Sequence, residues 1–181
     1  MKIPLPKLKA MLLFFATYTD EKFLGKVKLM KLFYFADFLH LKKYGLPITY
    51  DTYAKFTYGP VPLTILNFIN DVSEEGYESV LGDTVRIVQM PGTKIQRIEP
   101  LKKLTQREKD YFSKSEIEIL ETVCKRFYES NAEEIKEASH KEAAWNRTNL
   151  GEKIPYDIAL KDKDCEITNE EMSLFMKVFN A

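Results

Sequence analysis

A nearly continuous apolar run, Lys28 to Gly45, constrains the fold of this chain more than any other feature. From Leu29 to Leu41, the polar residues are Lys31, Asp37 and His40, and all others are Leu, Met, Phe, Tyr or Ala. A helix that is apolar on every side is not stable at a protein surface. The run therefore predicts a buried central helix on which the other elements pack.

The remaining chain alternates helical and extended patterns. Apolar spacing predicts helices over residues 5–19, 27–44 and 62–76, further helices from about residues 113 and 131, and a last helix near 169–179. Residues 54–57 predict a short strand, and the motif YGPVP at 58–62 predicts a turn. Residues 84–90 and 94–99 flank Pro-Gly-Thr and predict a hairpin. The fold class is thus α+β: one mainly helical domain over residues 1–181, with one small β-hairpin.

Composition narrows the class further. The 181 residues are enough for one domain with a real core, and the net charge is zero. Residues 1–70 hold ten lysines and four acids, which leaves 17 basic and 23 acidic residues in the rest of the chain. Three interpretations are open: the two halves attract each other, each shows a charged face to a partner, or the charges are solvated faces of ordinary helices. Cys124 and Cys165 form no zinc or disulfide pattern, and no signal or membrane segment is evident, so we expect a cytoplasmic protein.

Catalysis finds little support in the sequence. No nucleophile elbow, nucleotide-binding glycine loop or metal-ligand spacing is present, so we predict no enzyme activity, no metal and no cofactor. Asp37 and His40 lie one turn apart and leave open a base with an orienting carboxylate. A structural pair is the simpler interpretation.

Nucleic-acid binding is the main alternative. The order of helices and hairpin up to residue 99 is compatible with a winged helix, and this half carries the excess of lysine. However, the candidate reading helix at 62–76 contains no Arg or Lys and ends in Asp71, Glu74 and Glu75. Phosphates would repel such a helix, so nucleic acid is an unfavoured partner.

A protein partner accounts better for the unusual residues of the central helix. On a helical projection, Phe35 lies among Lys28, Lys31 and Lys42, which gives an aromatic anchor with a basic rim. We predict that this face and the adjoining Tyr58 bind a protein. Coverage of Phe35 by another element of the same chain is the equal alternative.

The motifs also resemble a known family. The segment KLMKLFYFADFLHLKKYG, then Tyr53 and YGPVP, is similar to the signature of the Panacea antitoxin domain, also called the SocA-like antitoxin domain. SHKEAAW at 139–145 and the Ile154–Tyr156 segment resemble later elements of that family. The resemblance covers about residues 5–160, and residues 161–181 form a helical extension outside it.

The resemblance implies a bacterial or phage-associated antitoxin that neutralises a protein toxin by direct binding. It also leaves open a role as an adaptor that delivers the toxin to a protease. It marks Asp37, Tyr53, Gly59, Pro60, His140 and Trp145 as motif residues. We expect Asp37 to accept hydrogen bonds from donors near residues 58–61, which would fix the YGPVP turn against the central helix.

Overall fold

The computed structural model of the protein describes residues 3–179. The first two helices of the chain are α1 (Leu5–Tyr18) and α2 (Lys26–Tyr44). Gly45 ends α2 with a φ of 81°, and its N–H donates to the carbonyl of Leu41. A glycine adopts this left-handed conformation without steric cost. Fourteen of the 19 residues of α2 are buried, which confirms the prediction of a buried central helix.

A hairpin follows α2. Strands β1 (Tyr53–Phe56) and β2 (Gly59–Pro62) pair in antiparallel fashion, and helix α3 (Leu63–Glu75) follows directly. The prediction of YGPVP as a plain turn is wrong, because its last four residues form a strand. This strand lies at the sheet edge, where the missing N–H groups of two prolines are tolerated.

The second hairpin confirms the sequence prediction. It consists of β3 (Val85–Gln89) and β4 (Gln96–Pro100), with Ile87 opposite Ile98. The main chain of Ile98 also donates to the carbonyl of Leu24, which ties β4 to the segment before α2. This hairpin is a separate two-stranded sheet.

The second half of the chain is mainly helical. Its elements are α4 (Gln106–Lys109), α5 (Lys114–Arg126), α6 (Ala132–His140), α7 (Ala143–Asn146), β5 (Lys153–Ile154) and α8 (Asn169–Phe179). Helices α5 and α6 each begin with a capping box, Ser113 with Glu116 and Asn131 with Glu134, as their sequences predict. Strand β5 pairs with β1 and completes a three-stranded sheet of order β2-β1-β5.

Helix α2 is the shared support of the fold, because α5, α6 and β2 all pack against it. Opposite charges join the two halves of the chain, as one of the three sequence interpretations predicts. The lysines at positions 7, 9, 42 and 43 form ion pairs with acidic residues between positions 83 and 164. Within residues 3–179, no helix has the length and apolar character needed to cross a bilayer.

Candidate functional site

The structure corrects the predicted binding face of α2. Lys28, Lys31, Phe35 and Lys42 are each at most 3% exposed, so this face is interior. The helical projection grouped them correctly, but other elements of the chain cover them. Tyr58, the fifth predicted residue, is 69% exposed. The basic aromatic face of α2 therefore cannot be a docking surface in this structure.

Phe35 is covered from the C-terminal end of α5. Its ring lies 4.6 Å from the ring of Phe127, and the guanidinium of Arg126 lies 5.0 Å from the Phe35 ring centroid. These contacts are those of a core residue with a cation over one face. The alternative in which another element covers Phe35 is thus the correct one.

The buried lysines Lys28 and Lys42 have partners from distant parts of the chain. The ammonium of Lys28 donates to the carbonyl of Tyr128 at 2.9 Å. Lys42 lies 2.8 Å from carboxylate oxygens of both Glu142 and Asp164, with an oxygen of Asp162 at 3.7 Å. Burial acts to lower the pKa of Lys42, but Asp164 and Glu142 together outweigh it and raise that pKa.

The three carboxylates around Lys42 are close enough to one another to hold a metal ion. The ammonium of Lys42 already lies among them and supplies the positive charge. The cluster is therefore explained as an internal ion-pair network. It connects α2 to Glu142, just before α7, and to the segment after β5.

Asp37 is fully buried and organises the loop after α2. Its carboxylate accepts hydrogen bonds from the main-chain N–H groups of Ile48 and Thr49, at 2.8 and 2.7 Å, and from the hydroxyls of Thr49 and Tyr53. Burial raises the pKa of Asp37 to about 6, and the hydrogen bonds oppose that rise. The expectation of donors near residues 58–61 is wrong: Asp37 fixes residues 48–53 instead.

Asp51 is a second buried carboxylate, and sequence reasoning missed it. It accepts hydrogen bonds from the main-chain N–H groups of Thr64 and Ile65 in the first turn of α3, at 3.1 and 2.9 Å. The hydroxyl of Tyr156 donates to the main-chain carbonyl of Asp51. No sequence pattern marks Asp51, because it lies 13 residues before the first N–H group that it caps.

His40 does not form the suggested pair with Asp37. One ring nitrogen, Nδ1, bonds the carbonyl of Leu46, and the other, Nε2, lies 3.1 Å from the hydroxyl of Ser115. All four hydrogen bonds of Asp37 come from residues 48–53. The hypothesis of an Asp37–His40 catalytic pair is therefore wrong, and His40 joins α2 to α5.

Lys31 is the residue that holds the YGPVP segment. Its ammonium donates to the carbonyl of Pro60 at 2.7 Å. Burial, reinforced by the charge of Lys136, lowers the pKa of Lys31 to about 7. Gly59 has a φ of +100°, and a Cβ there would lie 2.4 Å from Cε of Lys31 and 3.0 Å from the hydroxyl of Ser139. The glycine thus permits close contact among β2, α2 and α6.

The later motif residues complete this arrangement. The ring of His140 stacks on Trp145 with centroids 4.0 Å apart and an interplanar angle of 8°. The ammonium of Lys55, in β1, lies 4.2 Å from the Trp145 ring centroid and donates to the Trp145 carbonyl at 2.9 Å. Positions far apart in sequence, 31, 55, 59 and 139–145, therefore meet around one end of the first hairpin.

Three exposed apolar side chains lie on segments that adjoin this arrangement. Phe56 is 41% exposed, and Tyr58 follows it around the same turn. Leu150 is 65% exposed and precedes Gly151, whose N–H donates to the carbonyl of Lys55. We call Phe56, Tyr58 and Leu150 the hairpin patch. Exposed aromatic side chains beside a rigid support are typical of protein-binding surfaces.

Comparison with known proteins agrees with the motif resemblance. The family model described as "Antitoxin SocA-like, Panacea domain" matches residues 29–146, more than half of the chain. This range includes all but the first three residues of α2, the first hairpin and the stacked pair His140–Trp145. No curated protein and no solved structure matches the chain. The family match supports an antitoxin role in general terms and suggests a regulator that is not catalytic.

Proposed function

Because the chain belongs to the family of SocA-like antitoxins with a Panacea domain, we propose that it neutralises a protein toxin by binding it directly through the hairpin patch. The exposure of Phe56, Tyr58 and Leu150 beside the family's motif residues is the observation that carries this proposal. The protein acts without catalysis, metal or cofactor in this account.

The support beneath the patch explains why aromatic side chains can be exposed there. Lys31 fixes the carbonyl of Pro60, and the main chain of Lys55 bonds both Gly151 and Glu152. Lys55 and Pro60 lie opposite each other, so these contacts hold both strands of the hairpin close to the turn. A preorganised surface loses less conformational entropy when it binds a partner.

The proposal is tested by growth of cells that express the adjacent gene, whose product is the proposed toxin. We expect that product to stop growth alone and the wild-type chain to restore growth. The double variant Phe56→Ala/Tyr58→Ala should restore little growth, because two exposed anchors are removed from the interface. Tyr77→Ala is the matched control, since Tyr77 is 81% exposed on another part of the surface. A harmless neighbour, or full rescue by the double variant, would contradict the proposal.

Delivery of the toxin to a protease is a second form of the same binding role. Both forms need the contact at the hairpin patch, but they differ in the fate of the toxin. If the chain blocks the toxin by occupancy, rescue persists in cells without the relevant protease. If the chain is an adaptor, rescue is lost in those cells and toxin levels stay high.

A further inference from the structure

Three lysines and one acid act on His140. Burial lowers the pKa of His140, the charges of Lys136, Lys31 and Lys55 lower it further, and Glu133 opposes them. We call Lys31, Lys55, Lys136 and His140 the lysine cluster. Its three lysines come from α2, β1 and α6.

Two of the three lysines have no ion-pair partner within the described part of the chain. Lys31 and Lys55 bond main-chain carbonyls, of Pro60 and Trp145, and neither forms an ion pair with a described carboxylate. Lys136 pairs with Glu133, whose side chain is 65% exposed. An ammonium has three N–H donors, so these carbonyl contacts leave donors of Lys31 and Lys55 unused.

His140 adds an unsatisfied group at the same place. Its Nε2 is buried and has no hydrogen-bond partner among the described residues. Buried polar atoms are normally paired, so an unpaired one calls for a specific explanation. The ring itself is held in place by its stack on Trp145. The unpaired atom is therefore held at a fixed position within the lysine cluster.

The cluster is layered with respect to solvent. Lys31 is 1% exposed, whereas Lys55, Lys136 and His140 are partly exposed around it. A ligand would meet the outer groups first, and Lys31, whose pKa burial lowers to about 7, lies behind them. Tyr58 and Phe56 of the hairpin patch lie beside Lys55 along the chain and in the same hairpin.

We propose that the lysine cluster binds a carboxylate of the protein partner, an Asp or Glu side chain on the surface that meets the hairpin patch. This inference rests on the proposed function and adds the chemistry of the partner: an apolar contact with an acidic residue at its side. The carboxylate would accept hydrogen bonds from Lys55 and Lys136 and would place a negative charge beside His140.

The two histidines of the chain allow a direct test by NMR. The full chain is titrated with a tetraglutamate peptide at constant ionic strength, and the pKa of each histidine is measured. We expect saturable binding and a rise of about half a unit or more in the pKa of His140, because a nearby anion favours the imidazolium. His40, which bonds Leu46 and Ser115, is the internal control and should not respond.

Matched variants make the test specific. Lys55→Met should weaken tetraglutamate binding several-fold, and Lys103→Met, at an exposed lysine in the connector before α4, should leave it unchanged. If Lys55→Met does not fold, Lys136→Met is used in its place. Equal responses of His40 and His140, equal binding of tetraglutamine, or wild-type binding by both cluster variants would overturn the inference.

The tetraglutamate test and the growth test of the proposed function can give different results. If Phe56→Ala/Tyr58→Ala fails to rescue growth and the chain does not bind tetraglutamate, the carboxylate site is overturned and the hairpin patch is supported. Binding of inorganic phosphate without binding of tetraglutamate would also overturn the proposed carboxylate. If tetraglutamate binds specifically and the patch variant rescues growth fully, the acid-binding site is supported and the hairpin patch is overturned.

Discussion

Asp37→Ala is expected to lower the free energy of unfolding by about 1–3 kcal/mol near pH 7.5, because four buried donors lose their acceptor. These donors are the N–H groups of Ile48 and Thr49 and the hydroxyls of Thr49 and Tyr53. Chemical denaturation followed by circular dichroism measures the loss. Glu75→Ala, at an exposed carboxylate, is the control and should change stability little.

The effect of Asp37→Ala should also depend on pH in a defined direction. The folded-state pKa of Asp37 is raised to about 6 from an ordinary value of 3.8. Between these values the folded chain binds more protons than the unfolded chain, so the contribution of Asp37 to stability grows as the pH falls. The difference between wild type and variant should therefore widen by about 1 kcal/mol from pH 7.5 to pH 5. If the difference in stability between wild type and variant narrows over this range, burial is not the dominant influence on the pKa of Asp37.

Gly59→Ala is expected to destabilise the chain by about 2–3 kcal/mol. An alanine at this position would have an unfavourable φ of +100°, and its Cβ would lie 2.4 Å from Cε of Lys31. Lys31 can avoid that atom only by moving from the carbonyl of Pro60, which would then lose its buried donor. Thermal or chemical denaturation measures the effect.

Gly92→Ala separates backbone strain from the contact with Lys31. Gly92 also has a positive φ, +68°, but a Cβ there meets nothing within 4 Å. We expect this control to cost about 1 kcal/mol. In a Lys31→Ala background, the penalty of Gly59→Ala should fall toward the Gly92 value. Equal penalties at the two glycines in the wild-type background would contradict a specific role of the Lys31 contact.

Local patterns predicted the framework of the fold well. The apolar run and Gly45 predicted α2 and its end, since both signals depend on neighbouring residues. The capping boxes at Ser113 and Asn131 are local in the same sense. β2 was missed because Pro60 and Pro62 are poor strand residues, and only its place at the sheet edge makes them acceptable.

The candidate site was harder to predict, because long-range contacts decide which side chains are exposed. Lys28 and Lys42 have partners 100 or more residues away, so their burial leaves no local trace in the sequence. Phe35 and the lysines were correctly grouped but wrongly placed at the surface. Tyr58 alone among the five predicted binding residues is exposed, and it leads to the hairpin patch.

We propose that the hairpin patch binds the toxin. Calorimetric titration of the purified chain with the product of the adjacent gene tests this proposal most directly. We predict saturable binding by the wild type, and an affinity at least about 100-fold lower for Phe56→Ala/Tyr58→Ala, because each exposed aromatic anchor contributes about 1.4–2 kcal/mol. The melting temperature should be unchanged, and Tyr77→Ala should bind like wild type. Undiminished affinity of the double variant would contradict the claim.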